Sequence, residues 1–254
     1  MRKIILCLVI GGFCWLTGSV AGLAADLPVY MYITEESPPD NFTENGQLKG
    51  LSVELLKKMW EKMGVPAQKI EVLPWSRGYE MIRTQPNTVL FAMTRIPERE
   101  KLFKWVGPTR TTKFIVVARK DAPIKITKKE DLQKYHIGTV RNDYSEAMIL
   151  KAGVAEGALD RSDDNPTVAR KFKAGRIDLV VYSELGLDSF LKNVGMSKKD
   201  CRVVYTLPGA DISYAFHKDT PAAEIKRFQQ ALDAVLKDKS YMQLLNKYQL
   251  TSGR

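Results

Sequence analysis

The 254-residue sequence predicts an α/β protein, and three features carry that prediction. Short apolar runs alternate with segments of helical period, the alternation occurs in two successive series of similar length, and several helical segments close on a glycine. Strands and helices alternating at this spacing imply a parallel sheet covered by helices.

The N-terminus stands apart from this pattern. "MRKIILCLVIGGFCWLTGSVAGLAA" has a basic start, an apolar stretch of about a dozen residues and small residues at Gly22, Ala24 and Ala25, which is the pattern of a cleaved secretory signal over residues 1–25. Its apolar core is shorter than the roughly 20 residues a membrane-spanning helix needs. Phe13 before Cys14 does not fit a lipoprotein cleavage site, so release is expected rather than lipid tethering.

In the first series "LPVYMYI" (27–33) reads as a strand, and "LSVELLKKMWEKMG" (51–64) places Leu51, Leu55, Met59 and Met63 on one helical stripe, with Leu56 and Trp60 beside it and Gly64 as the stop. A strand "KIEVL", a helix "SRGYEMIRT" and a strand "TVLFAM" follow, then a short helix with Pro97 in its first turn. The second series opens with the strand "KFIVVAR" (113–119) and a capping box "TKKE" at Thr127. The strand "YHIGTV" runs into "NDYSEAMILKAG", where Asp143 and Glu146 form a second capping pair. The helix "PTVARKFKAG", the strand "IDLVVY" and the helix "SELGLDSFLKNVG" complete it. There is no internal repeat and no glycine-rich phosphate loop in a strand-turn-helix context.

Composition removes several function classes. With 39 basic and 29 acidic residues the chain is basic, but its lysines are scattered rather than interleaved with aromatics in a stripe, and nucleic acid is not an expected partner. Once the signal is gone only Cys201 of the three cysteines remains, so no internal disulfide forms and packing must supply the stability. His136 and His217 lie far apart in predicted strands, no metal-ligand spacing occurs, and neither a metal nor another cofactor is expected.

Six motifs in order, "ESPPDNFTENGQLKGLSVELL", "PW" before a helix, "MTRIPEREKLFKWVGP", "IGTVRNDYSE", "AGRIDLVVYSE" and "KRFQQALDAVLKDKSYMQLLNKY", together resemble the bacterial extracellular solute-binding proteins of family 3. The resemblance spans the mature chain. It implies the two-lobed type II periplasmic-binding-protein fold with a ligand cleft between lobes. Lobe 1 would comprise residues 25–111 and 209–254, and lobe 2 residues 112–208. It also implies a monomeric periplasmic receptor that closes over a small carboxylate-bearing ligand, an amino acid or a related molecule, and passes it to an inner-membrane ABC permease.

Site residues follow from the same resemblance. Arg99 stands where the family forks a guanidinium onto the ligand carboxylate, a geometry its planar donors suit, and Thr94 adds a hydroxyl. Ile96 before Pro97 offers no N-cap, and Arg95 reads as a rim or surface residue. Trp75 either walls the ligand or belongs to the core, and Arg77 either joins it or is solvated. Asp143, Tyr144 and Ser145 match a helix start that meets the carboxylate, although Asp143 equally suits its own helix cap. Ser37 replaces a common aromatic lid. Ser183 replaces the aspartate that usually faces the ligand ammonium, leaving Glu35 or Glu184 to substitute. An enzyme of the dehydratase kind, using Glu35 or Glu184 as a cleft carboxyl, is the alternative. A ligand sensor for a separate membrane partner is a third reading, because no further domain follows "LTSGR".

Overall fold

A computed structural model describes residues 29–250; the predicted signal segment lies outside them. One eight-stranded sheet forms the frame. Its strands are β1 (Met31–Thr34), β4 (Ile70–Val72), β5 (Thr88–Arg95), β6 (Phe103–Arg119), β7 (Ile137–Val140), β8 (Leu159–Ser162), β9 (Leu179–Ser183) and β10 (Cys201–His217). The order across the sheet is β4-β1-β5-β10-β6-β9-β7-β8. A separate hairpin joins β2 (Phe42–Glu44) to β3 (Gln47–Lys49) through Asn45-Gly46, both at positive φ, as a tight two-residue turn requires.

The parallel expectation holds at the two ends and fails in the middle. β1 is parallel to β4 and β5, and β7 to β8 and β9. Between them β10 is antiparallel to β5 and β6, and β6 is antiparallel to β9. The predicted strand 113–119 is the second half of a 17-residue strand paired with another of 17 residues. Gly107-Pro108 in one and Pro208-Gly209 in the other do not end their strands, because cross-strand pairing supplies what local preference does not. Register shifts in β10 between Leu207 and Ala210 and between Ile212 and Tyr214 leave the ladder irregular where the two halves of the sheet meet.

Helix α1 (Leu51–Met63) buries Leu51, Leu55, Leu56, Met59 and Trp60, and Gly64 ends it in the left-handed conformation, as the periodicity predicts. Its start is pinned to the segment before it. Ser52 N donates to Asp40 O at 2.9 Å, and a Cβ on Gly50 would collide with that carbonyl. Helices α2 (Trp75–Thr84), α3 (Tyr144–Lys151), α4 (Asn165–Lys173) and α5 (Leu187–Lys192) cover the sheet; α5 starts later than "SELG" suggested. The capping box predicted from Thr127 to Glu130 forms one residue later, from Lys128 to Asp131, whose carboxylate also accepts from Thr127 N at 2.9 Å and Thr127 Oγ1 at 2.7 Å. Asp143 caps α3, but Glu146 accepts from Asn142 N rather than from Asp143.

The C-terminal helices α6 (Ala222–Lys237) and α7 (Lys239–Lys247) return to the first half. Phe228, Leu232, Val235, Tyr241 and Leu245 join Tyr32, Leu55 and Trp60 in one buried cluster. Arg227 Nη2 donates to Met63 O at 3.1 Å, tying the two ends of the chain. Cys201 is half-buried, its thiol pushed up to about 11 by burial. Among the described residues no helix is long and apolar enough to cross a membrane, and no His, Cys, Asp and Glu cluster suits a metal.

Candidate functional site

A cavity opens at the carboxyl ends of β1, β5 and β9, where open α/β sheets place ligands. Each wall has a local cause. Glu35 follows β1, and Trp75 begins α2 after Pro74. Asp143 caps α3, Asn165 opens α4 and Ser183 ends β9. In β5, Ala92 takes a φ of 59 and a register shift faces it across β10, a bulge that turns the strand just before Thr94 reaches the cavity.

The charges of the lining are unequal. Arg110, 1% exposed, donates from Nε to Asp40 Oδ1 at 2.9 Å and from Nη2 to Asp40 Oδ2, so the one guanidinium in the lining is neutralised within the wall. Among the described residues neither Glu35 nor Asp143 is in an ion pair of that kind, although the Arg99 guanidinium lies near enough to Asp143 to feel its charge. Glu35 is half-buried as a residue, but its carboxyl faces the enclosed space, where burial and then the charge of Asp143 hold it well above the usual carboxylate range, against the lowering effect of Asn165. Asn165 Nδ2 donates to Glu35 Oε2 at 3.3 Å. Burial, followed by the charge of Glu35, also pushes the Tyr182 hydroxyl up. Thr112 and Trp75 line the same space, and Thr112 Oγ1 and Trp75 Nε1 are buried without a hydrogen-bond partner among the described residues.

The two halves are drawn together over this cavity. Arg99 Nη2 donates to Asn142 O at 2.6 Å, and Ser76 N donates to Asp163 O at 3.3 Å. The enclosed volume is about 50 Å³. Small-ligand sites commonly enclose roughly 300 to 1,000 Å³, several times this volume.

Of the residues singled out from the sequence, Glu35, Trp75, Thr94, Asp143 and Ser183 all line this cavity. Arg99 stands behind the wall. It is 3% exposed, donates to Thr94 O at 2.8 Å, and lies 5.6 and 5.5 Å from the ring centroids of Trp75 and Tyr79. Ser183 Oγ accepts from Gly186 N at 3.2 Å and is a turn-former as well as a wall residue.

Four candidates are not brought there. Arg77 is exposed on α2. Glu184 is exposed one residue past Ser183, and strand alternation turns it to the opposite face. Tyr144 donates to Pro208 O at 2.8 Å on the far side of the sheet, and Ser145 Oγ is held by Asp143 Oδ2 at 2.9 Å. His217 is buried at the end of β10 and His136 is exposed just before β7, both away from the cavity.

Sequence reasoning missed Asp40, Arg110, Thr112 and Asn165. The available signal for Arg110 was its place inside the hydroxyl-bearing run Thr109 to Thr112 of β6, since a charge at an inward position needs a partner.

The sequence profile of "Bacterial extracellular solute-binding proteins, family 3" matches residues 29–251. The arginine-binding extracellular protein ArtP of Bacillus subtilis (strain 168) is 21% identical over 224 residues, covering 85% of this chain and 83% of that protein. A mutant of ArgBP from T. maritima superposes with a TM-score of 0.74 at 22% identity, covering 86% of this chain and 94% of the other. A histidine kinase sensor domain with similarity to periplasmic binding proteins gives 0.76 at 19% identity, covering 86% and 95%.

Proposed function

We propose, from the premise that this chain belongs to the bacterial extracellular solute-binding proteins of family 3, that it captures a small ligand bearing both a carboxylate and a cationic group, an amino acid in the simplest case. Capture would take place outside the cytoplasmic membrane, and a permease would receive the ligand. The family is one of binding proteins, and the dehydratase reading is set aside with it.

The observation that carries the cationic half is the imbalance of the cavity wall. Glu35 and Asp143 both line it, while Arg110 is already neutralised by Asp40. An ammonium or guanidinium placed between the two carboxyls offsets their mutual repulsion and the cost of their burial. Ser183 then needs no charge of its own, and of the two substitutes named from the sequence the geometry favours Glu35 over Glu184.

Arg99 supports the carboxylate half. In the closed arrangement its Nη2 is taken by the Asn142 carbonyl; parting of the halves releases that donor to a ligand carboxylate. We take the halves to be lobes of residues 25–111 with 209–254, and 112–208, moving about the long strands β6 and β10, whose irregular stretches near Pro108 and Pro208 allow bending.

Thermal-shift screening of the signal-free chain tests the reading. Basic or neutral α-amino acids are expected to raise the melting temperature, since ligand at about 100 times Kd adds about 2.7 kcal/mol. Stabilisation by dicarboxylates and by no amine-bearing compound would overturn it.

A further inference from the structure

A second and larger cavity lies on the other face of the same strands. β10 pairs Asp211 with Arg95 of β5 on one side and with Thr111 of β6 on the other; the next row pairs Ile212 with Thr94 and Arg110. Thr94, Arg110 and Ile212 line the cleft, whereas Arg95, Thr111 and Asp211 line the second cavity. Successive side chains of a strand point to opposite faces, so the two cavities stand back to back across three strands. One ring pair separates them further on: Phe114, in the cleft wall, stacks at 4.1 Å on Tyr144, in the wall of the second cavity.

The second cavity has a volume of about 500 Å³, within the range of small-ligand sites, whereas the cleft beside it is nearly closed. Its inner wall is apolar, made by Ile96, Met148, Ala152, Leu207 and the Tyr144 ring. Its rim is cationic. Arg95 pairs with Glu100 at 2.7 Å and Lys151 with Glu98 at 3.6 Å, both at exposed positions, while Lys129 makes no ion pair among the described residues. Asp211 is the only acid in the lining, and it accepts from Thr111 Oγ1 at 2.6 Å.

We propose that this cavity is a second binding site, separate from the cleft, for a small amphipathic anion whose apolar body lies on Ile96, Met148 and Leu207 while its carboxylate or sulfonate meets Lys129, Lys151 and Arg95. An apolar floor beside Lys129, with Arg95 and Lys151 held only by solvent-exposed ion pairs for which a ligand anion can compete, matches that chemistry better than it matches the corresponding amine. The site goes beyond ligand capture in the cleft and does not depend on the cleft's specificity.

The test uses 8-anilinonaphthalene-1-sulfonate as the probe on the folded, signal-free chain. Saturable one-to-one fluorescence enhancement is expected. Ala152→Trp, which fills the cavity from the end of α3, should weaken the apparent affinity by about tenfold or more, the equivalent of about 1.4 kcal/mol. Lys129→Glu combined with Lys151→Glu changes only exposed side chains and should weaken it roughly two- to fivefold even if the tryptophan variant does not fold. Decanoate should displace the probe and decylammonium should not. Absence of saturable binding, or binding unchanged in the variants, would overturn the site. Equal displacement by decylammonium would overturn its assignment to anions.

Discussion

Asp40 and Arg110, 70 residues apart, form a two-pronged ion pair in the wall of the cleft, with Arg110 1% and Asp40 6% exposed. Asp40 is fixed from behind, because its carbonyl accepts from Ser52 N at the start of α1. Removing one partner strands the other charge away from water, so Asp40→Asn is expected to cost about 3 to 5 kcal/mol in urea unfolding. Asp40→Leu with Arg110→Leu should cost much less than the two single changes summed, since no charge is then left unpaired. Additive losses would show that the pair is not coupled.

Arg99→Lys is expected to weaken binding of any carboxylate ligand by about 1.5 to 3 kcal/mol in calorimetry, the usual worth of a charge-assisted hydrogen bond. Lysine keeps the charge but has no planar fork to reach Thr94 O and Asn142 O together, and no flat face for Trp75 and Tyr79. Unchanged affinity would remove Arg99 from ligand binding and leave it a tie between the halves.

Glu35 makes the stability of the folded chain sensitive to pH. Burial first, and the charge of Asp143 second, hold its carboxyl above the unfolded value, so between the two values the folded chain binds more protons than the unfolded one. Stability from this group is therefore full below the ordinary carboxylate range and is lost as pH rises through the raised value. Melting temperature should fall with pH across that window more steeply in the wild type than in Glu35→Gln, with the variant the more stable above it. A cationic ligand favours the carboxylate and so releases protons on binding, which titrations in buffers of different ionisation heat would detect. Binding without proton release would place the cation elsewhere.

The sequence shows the helices and short strands well because each is a local pattern; the stripe Leu51, Leu55, Met59 needs no partner to be read. It hides the central strands. Their length depends on β6 and β10 pairing across a sequence gap, and each carries a proline and a glycine in its interior, where local preference favours an end. The site divides in the same way. Thr94, Trp75, Asp143 and Ser183 lie at element ends that motif order brings out, whereas Asp40 and Arg110 acquire meaning only from each other. Tyr144 and Glu184 lie one residue beyond Asp143 and Ser183, and one step in sequence is enough to cross the sheet or leave the wall.

Ser183 is the place to change specificity. It is half-buried at the end of β9, in the same wall as Glu35 and Asp143, and its Oγ holds the turn at Gly186. An aspartate retains an oxygen acceptor for Gly186 N, so Ser183→Asp should fold. It also adds a carboxyl to the cavity beside Glu35, Asp143 and the Arg110-bound Asp40. Without ligand that addition raises the repulsion already felt by Glu35 and should lower stability at neutral pH. With an ammonium present, the added charge offsets its desolvation, and affinity for common α-amino acids should rise. The two effects have opposite signs, so the melting temperature should drop in buffer and recover by a larger margin than the wild type on addition of amino acid. If amino-acid binding instead falls while anion binding is unchanged, the ammonium is not held near Ser183, and the charge balance of Glu35 and Asp143 serves another group.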